Sequence, residues 1–151
     1  MDKITDNLYI GNSYDALHSK SILKAAGITA ILNVAKDLDN PFLSPNNFSL
    51  HKVGLGDGSG NTEENLLGAI KTLHSLLSEG HRVLIHCHEG RSRSSSVVAA
   101  YLWALGQFSD IDAALSYLKT VRPLIRPETG MRQDYIDLGI DKLKESISES
   151  T

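Results

Sequence analysis

Apolar and polar positions alternate with two periods along this chain, and the change from one to the other marks its elements. Ile4 to Ile10 reads as a short strand, closed by Gly11-Asn12. Ser13 stands where a helix N-cap belongs, and Ala16, Ile22 and Leu23 predict a helix to Ala26 with Gly27 as its stop. Ile28 to Val34 is apolar on both faces, the pattern of a buried strand. Lys36 to Asn47, with Pro41, Pro45 and several Asp and Asn residues, reads as a surface loop. Phe48 to Leu55 is the next strand. Gly56 to Gly60 then forms a flexible loop. Asn61 with Glu64 three residues on is a capping box for a helix whose face is Leu66, Ile70, Leu73 and Leu77, ended by Gly80. Arg82 to His86 is a short apolar strand and Ser94 to Leu105 an apolar helix. Ser109 with Asp112 opens another helix, and Pro127 starts a last one carrying Met131, Tyr135 and Leu138. Strands alternating with helices predict an α/β layered sheet.

Length adds that this is one domain: 151 residues suffice for a single core, read here as residues 1–147 with a frayed tail over 148–151. Apolar residues at 41% and charged residues at 22% exclude disordered and fibrous classes. A net charge of −3, from 15 basic and 18 acidic residues, provides no whole-chain positive field, so neither nucleic acid nor an anionic membrane is an expected partner. The longest apolar run, Val97 to Leu105, is about half a bilayer span. Met1 to Asp6 carries no signal-peptide pattern. Cys87 is the single cysteine, which excludes an intramolecular disulfide and points to a reducing, cytoplasmic setting. Oligomeric state is not legible.

The chemistry concentrates at Cys87-His88-Glu89-Gly90-Arg91-Ser92-Arg93, between the apolar strand and the apolar helix. A strand-to-helix turn of this kind turns successive backbone N–H groups into one concavity, and the helix adds the positive end of its dipole. Gly90 allows the backbone such a cradle needs. Arg93 supplies a planar fork for two phosphoryl oxygens. The phosphate-binding set is therefore His88, Glu89, Gly90, Arg91, Ser92 and Arg93. The same field favours a thiolate at Cys87. A free thiol with a pKa of about 8.5 is mostly protonated at neutrality, and lowering it by about 3 units, roughly 4 kcal/mol, ionises it almost fully. Cys87 is then the nucleophile that attacks phosphorus.

The leaving oxygen needs a proton. Asp57, on a Gly-flanked loop, is the candidate donor, and Glu63 and Glu64 are rivals better explained by the dipole of their helix. The Ser94 hydroxyl reaches back to the sulfur and eases its departure, while His86 supports the loop rather than acting as a base. His86-Cys87-His88 offers too few neighbouring ligands for zinc, and strand alternation sends Cys87 opposite the two histidines, so no metal is expected. Arg126 is a candidate for an acidic neighbour on a substrate, against a plain solvent-facing arginine.

The run His86 to Ser94 resembles the signature loop of cysteine-based protein tyrosine phosphatases, and its Ser92-Arg93-Ser94 ending is most similar to the dual-specificity branch, small atypical type. Leu8 to Asn12, Ala26 to Thr29, Ile31 to Val34, Tyr101-Leu102, Arg122-Pro123 and Arg126-Pro127 extend the resemblance over nearly the whole chain. It implies a central mixed, mostly parallel sheet flanked by helices, with the signature loop between a central strand and a helix. It also implies a hydrolase without metal or cofactor, with Cys87 as nucleophile, Arg93 as phosphate clamp, Asp57 as general acid and Ser94 as sulfur partner. Asp57-Gly58-Ser59-Gly60-Asn61 is richer in glycine than the family's acid loop, and His88 is unusual at its position.

The expected substrates are phosphorylated proteins, at phosphotyrosine and at phosphoserine or phosphothreonine, in a shallow pocket. Alternatives on the same residues are a phosphoinositide, nucleotide or RNA 5′-phosphate hydrolase, a phosphoprotein-binding module without turnover, and sulfur transfer through a Cys87 persulfide. Glu89 inside the loop speaks against polyanions, and the Cys87, Arg93 and Asp57 set against a mere binder. Ser94 and the Asp57 loop have no role in sulfur transfer.

Overall fold

The computed structural model describes residues 1–18, 20–39, 47–126 and 130–148. Most of the polar stretch around Pro41 and Pro45, the helix start at Pro127 and the last three residues of the tail lie outside them.

The first apolar run is two strands, not one. Asp6 and Asn7 turn the chain, so β1 (Asp2–Thr5) and β2 (Leu8–Gly11) pair antiparallel. The other strands are β3 (Ala30–Ala35), β4 (Ser49–Leu55) and β5 (Val83–His86). All further pairings are parallel, in the order β1-β2-β5-β3-β4. The sheet is thus mixed and mostly parallel. β5 occupies its middle, and β3 and β5 are buried along their whole lengths, which is why their residues are apolar on both faces.

One face of the sheet holds α3 (Glu63–Ser78), α4 (Arg93–Ala104), α5 (Ile111–Val121), α6 (Gly130–Leu138) and α7 (Ile140–Ser148) over the larger core, built on Leu32, Val34, Val83 and Ile85. The opposite face carries the short helices α1 (Ser13–His18) and α2 (Lys20–Ala25) over a smaller cluster that includes Ile31 and Leu84. Helix α4 is buried at every position but Trp103 and forms the centre of the large layer.

Three helix starts differ by one residue from the sequence expectation. Asn12, not Ser13, caps α1: its Oδ1 accepts from Asp15 N (2.8 Å), and Asp15 Oδ2 accepts from Asn12 N (3.0 Å). Thr62, not Asn61, caps α3, and Asp110, not Ser109, caps α5. The expected last helix breaks at Gly139, and α7 continues through Ser148 with Leu143 and Ile147 in the core. Among the described residues no helix is long and apolar enough to cross a membrane.

Candidate active site

Four parallel strands end on one edge of the sheet, and the candidate site hangs from all four ends. β2 leads to Asn12 and the start of α1, β3 to the turn bearing Asp37, β4 to Asp57 and β5 to Cys87. A pocket of about 380 Å³ opens there, lined by Cys87, Arg93 and residues between them together with Asp37 and Asp57. The predicted Cys87, Arg93 and Asp57 are therefore gathered in one place.

The backbone of the loop from Cys87 to Ser92 is held through its carbonyls, each of which accepts a hydrogen bond. His86 Nδ1 donates to Cys87 O (3.1 Å) and Ser13 N to His88 O (2.8 Å). The Arg122 guanidinium takes Glu89 O through Nη2 (3.0 Å) and Gly90 O through Nε (2.9 Å). Arg126 N and Ser95 Oγ take Arg91 O (2.8 and 2.9 Å), and Ser96 N takes Ser92 O (2.8 Å). The N–H groups of His88, Glu89, Arg91 and Ser92 have no acceptor among the described residues, so they remain for an anion. Gly90 adopts φ +66°, and a Cβ there would stand 2.5 Å from Gly11 O, so the bend excludes every side chain. Ser92 is the N-cap of α4 yet makes no side-chain cap, leaving that helix end open toward the pocket.

Cys87 is 3% exposed at the pocket floor, with Sγ 3.4 Å from Ser94 Oγ. Burial pushes its thiol up, but the Ser94 hydroxyl, the N–H groups of Ser94 and Gly90 and the charge of Arg93 outweigh burial, and the thiol ionises below its ordinary range. His86 is fully buried. Burial pulls its imidazole down to about 4, against a smaller opposing pull from its bond to Cys87, so it is neutral at physiological pH.

Arg93, 6% exposed, spends Nη1 on Asp37 Oδ1 (2.7 Å) and Leu55 O (3.0 Å). Its Nε and Nη2 have no acceptor among the described residues. His88 Nε2 donates to the other carboxylate oxygen of Asp37 (3.1 Å). The Arg93 guanidinium beside Asp37, with its own backbone and despite some desolvation, holds that carboxyl down at about 2.

Asp57 faces the loop from the opposite side: Ser92 Oγ donates to Asp57 Oδ1 at 3.0 Å. Asn61 spans the Asp57 loop, accepting from Gly56 N (2.8 Å) and donating to Gly56 O (2.8 Å) and Gly58 O (3.5 Å). Asp134 Oδ2 accepts from Gly60 N (3.2 Å). Glu63 and Glu64 sit in the first turn of α3, away from the pocket lining. Arg91 pairs with Glu89 (3.2 Å) on the rim, and Arg126 lines a neighbouring depression with Arg91 and Lys119.

Sequence reasoning missed two participants. Asp37 lay in a stretch read only as loop. Arg122, 4% exposed and tied through Nη1 to Asp2 (2.7 Å), supports the signature loop from 32 residues downstream of Gly90, where no local pattern links the two.

Residues 8–138 match the family model described as dual specificity phosphatase, catalytic domain. The chain is 34% identical over 144 residues to protein phosphatase Slingshot homolog 3 of Homo sapiens, covering 91% of this chain and 21% of that protein. It is 30% identical over 146 residues to dual specificity protein phosphatase 22-A of Danio rerio, covering 96% of this chain and 68% of that protein. The chain thus spans about a fifth of Slingshot homolog 3, and only 13% of Slingshot homolog 1. Among solved structures, DUSP15 superposes with a TM-score of 0.84 at 25% identity, covering 99% of this chain and 95% of that one. Human DUSP28 superposes with a TM-score of 0.77 at 22% identity over the full length of both.

Proposed function

The chain belongs to the dual specificity phosphatase family, and from that premise we propose that it is a cysteine-dependent phosphomonoester hydrolase acting on phosphotyrosine and on phosphoserine or phosphothreonine in proteins. In this reading residues 1–147 are one catalytic domain and the setting is the reducing cytoplasm, where a lone thiol stays active. The observation that carries it is the carbonyl-bound loop: its free N–H groups and the two unspent donors of Arg93 surround a sulfur held below its ordinary pKa.

The steps follow from that arrangement. Cys87 thiolate attacks phosphorus in line as the ester P–O bond breaks, and Asp57 passes its proton to the leaving oxygen. The equatorial oxygens rest on the loop N–H groups and on Nε and Nη2 of Arg93. Water then attacks the cysteinyl-phosphate, Asp57 takes the water's proton, and the S–P bond breaks. Ser94 Oγ donates to the departing sulfur, from the 3.4 Å at which it already stands.

Protein substrates are favoured over polyanions by the charge of the wall. Asp37, Asp57 and Glu89 line the pocket against Arg91 and Arg93, which suits one phosphoryl group and repels a second. The names of the Slingshot and 22-A relatives point the same way. The test is turnover on matched phosphotyrosyl, phosphoseryl and lipid phosphates by the wild type and Cys87→Ser. Hydrolysis of the peptides, lost by at least about a thousandfold in Cys87→Ser with phosphopeptide binding retained, is expected. Preferential hydrolysis of lipid phosphates, or binding without turnover by the wild type, would contradict it.

A further inference from the structure

Asp37 has no place in the steps above, yet it makes the shortest polar contact to the proposed clamp. We infer that Asp37 is a positioning residue: it locks the Arg93 guanidinium with its Nε–Nη2 edge turned to the phosphoryl site. The inference rests on the reading of Arg93 just given.

A guanidinium carries five N–H groups, two of them on each Nη. In this site both hydrogens of Nη1 have an acceptor, Asp37 Oδ1 at 2.7 Å and Leu55 O at 3.0 Å. The two acceptors lie on different strand ends, after β3 and at the end of β4, so together they set the plane of the fork as well as its distance. The edge left over, Nε with Nη2, is the one that engages two oxygens of a tetrahedral anion side by side.

The carboxylate is itself held. Its second oxygen accepts from His88 Nε2 at 3.1 Å, which ties the turn after β3 to the signature loop. That turn is built, not slack. Buried Asn33 donates to Leu38 O (2.6 Å) and accepts from Ala35 N (2.9 Å), and Lys36 N donates to Leu55 O (3.0 Å). Lys52 Nζ reaches Leu38 O (3.0 Å) and Asp39 (2.8 Å) from the neighbouring strand. The side chain of Asp37 is 65% exposed while that of Arg93 is 7% exposed. The carboxylate therefore stands at the mouth and grips the arginine from the solvent side, with the loop N–H groups on the other.

The opposite role for the same contact is a plug, a carboxylate that competes with substrate for the arginine. The two differ in what Asp37 occupies. A plug sits on the donors the phosphoryl group needs, whereas Asp37 sits on Nη1 only. They also differ in kinetics. Loss of a positioning group lowers kcat, because Arg93 is misplaced when charge moves onto the equatorial oxygens, whereas loss of a plug lowers KM.

The experiment compares Asp37→Ala, Asp37→Asn and wild type in the full chain, by steady-state kinetics on a phosphotyrosyl peptide and by calorimetric binding of tungstate. Asp37→Ala is expected to lower kcat ten- to a hundredfold, on the order of a small displacement of a catalytic group, with KM changed far less and tungstate bound more weakly. Asp37→Asn keeps an acceptor for Nη1 and should recover part of the loss. In an Arg93→Lys background the Asp37→Ala effect should vanish, since the two act as a unit. Matching melting curves show that the fold is intact. Unchanged kcat, a lowered KM or tighter tungstate binding in Asp37→Ala overturns the inference and leaves the proposed hydrolase standing. A wild type that neither hydrolyses the peptide nor binds tungstate overturns both.

Discussion

The two loops that face each other across the pocket are built on different principles. The signature loop, Cys87 to Ser92, is tied down at every carbonyl by buried or backbone donors and bent at a glycine that fits no side chain. The Asp57 loop stands at the surface on a few side-chain bonds, chiefly those of Asn61, with glycines at positive φ on either side of Ser59. An anion site gains from donors that need no reorganisation when charge arrives. A proton donor must approach a leaving group that differs between substrates, and a lightly held loop suits that task. The contrast assigns oxyanion binding to the rigid side and leaving-group protonation to the yielding side.

Removing the acid tests that division first. Asp57→Asn should lower turnover of alkyl phosphates by roughly a hundred- to ten-thousandfold, and of activated aryl phosphates much less, because a good leaving group needs little protonation. Tungstate affinity should hold. Equal losses on both ester classes would remove Asp57 from the acid role. The rigid side is broken at its bend: Gly90→Ala should destabilise the fold by about 2–4 kcal/mol, read by chemical denaturation, and should abolish oxyanion binding. A stable variant that still binds tungstate would show the cradle less constrained than its contacts imply. The smallest effect is expected from Asn61→Ala. Loss of its bonds to Gly56 should cost about 1–2 kcal/mol and reduce kcat by no more than about tenfold, with tungstate binding intact. A loss in tungstate binding there would mean that the two loops are not separable.

The rigid side was far more legible in the sequence than its supports. An apolar strand, a glycine three residues past Cys87 and an apolar helix locate the cradle by local pattern alone, and the structure brings Asp57 to the same pocket. The mixed, mostly parallel sheet was expected, and the structure has it. Arg122-Pro123 entered only as part of the resemblance, and the support Arg122 gives the loop was not legible because it arises only when the end of α5 packs beside the loop and Asp2. Asp37 was hidden at the start of a polar stretch, in a turn braced at Ala35 and Leu38 by Asn33, a buried amide that no periodicity flags. The cap errors share one origin: Asn12-Ser13, Asn61-Thr62 and Ser109-Asp110 each offer two adjacent capping residues, and the cap is the one whose side chain accepts from the N–H three residues on, Asn12, Thr62 and Asp110. β1 and β2 merged into one expected strand because the apolar run of Ile4, Leu8 and Ile10 masks the turn at Asp6-Asn7.

The account depends on one property, an anionic sulfur in a cradle of donors, and the single cysteine makes it directly measurable. The rate of alkylation of the wild-type chain by iodoacetamide, followed across pH, titrates Cys87 alone. A midpoint clearly below the ordinary thiol value of about 8.5, moving upward in Ser94→Ala and Arg93→Lys as their stabilisation is lost, is the predicted result. A midpoint at or above the ordinary value, as burial alone would produce, would contradict the central claim.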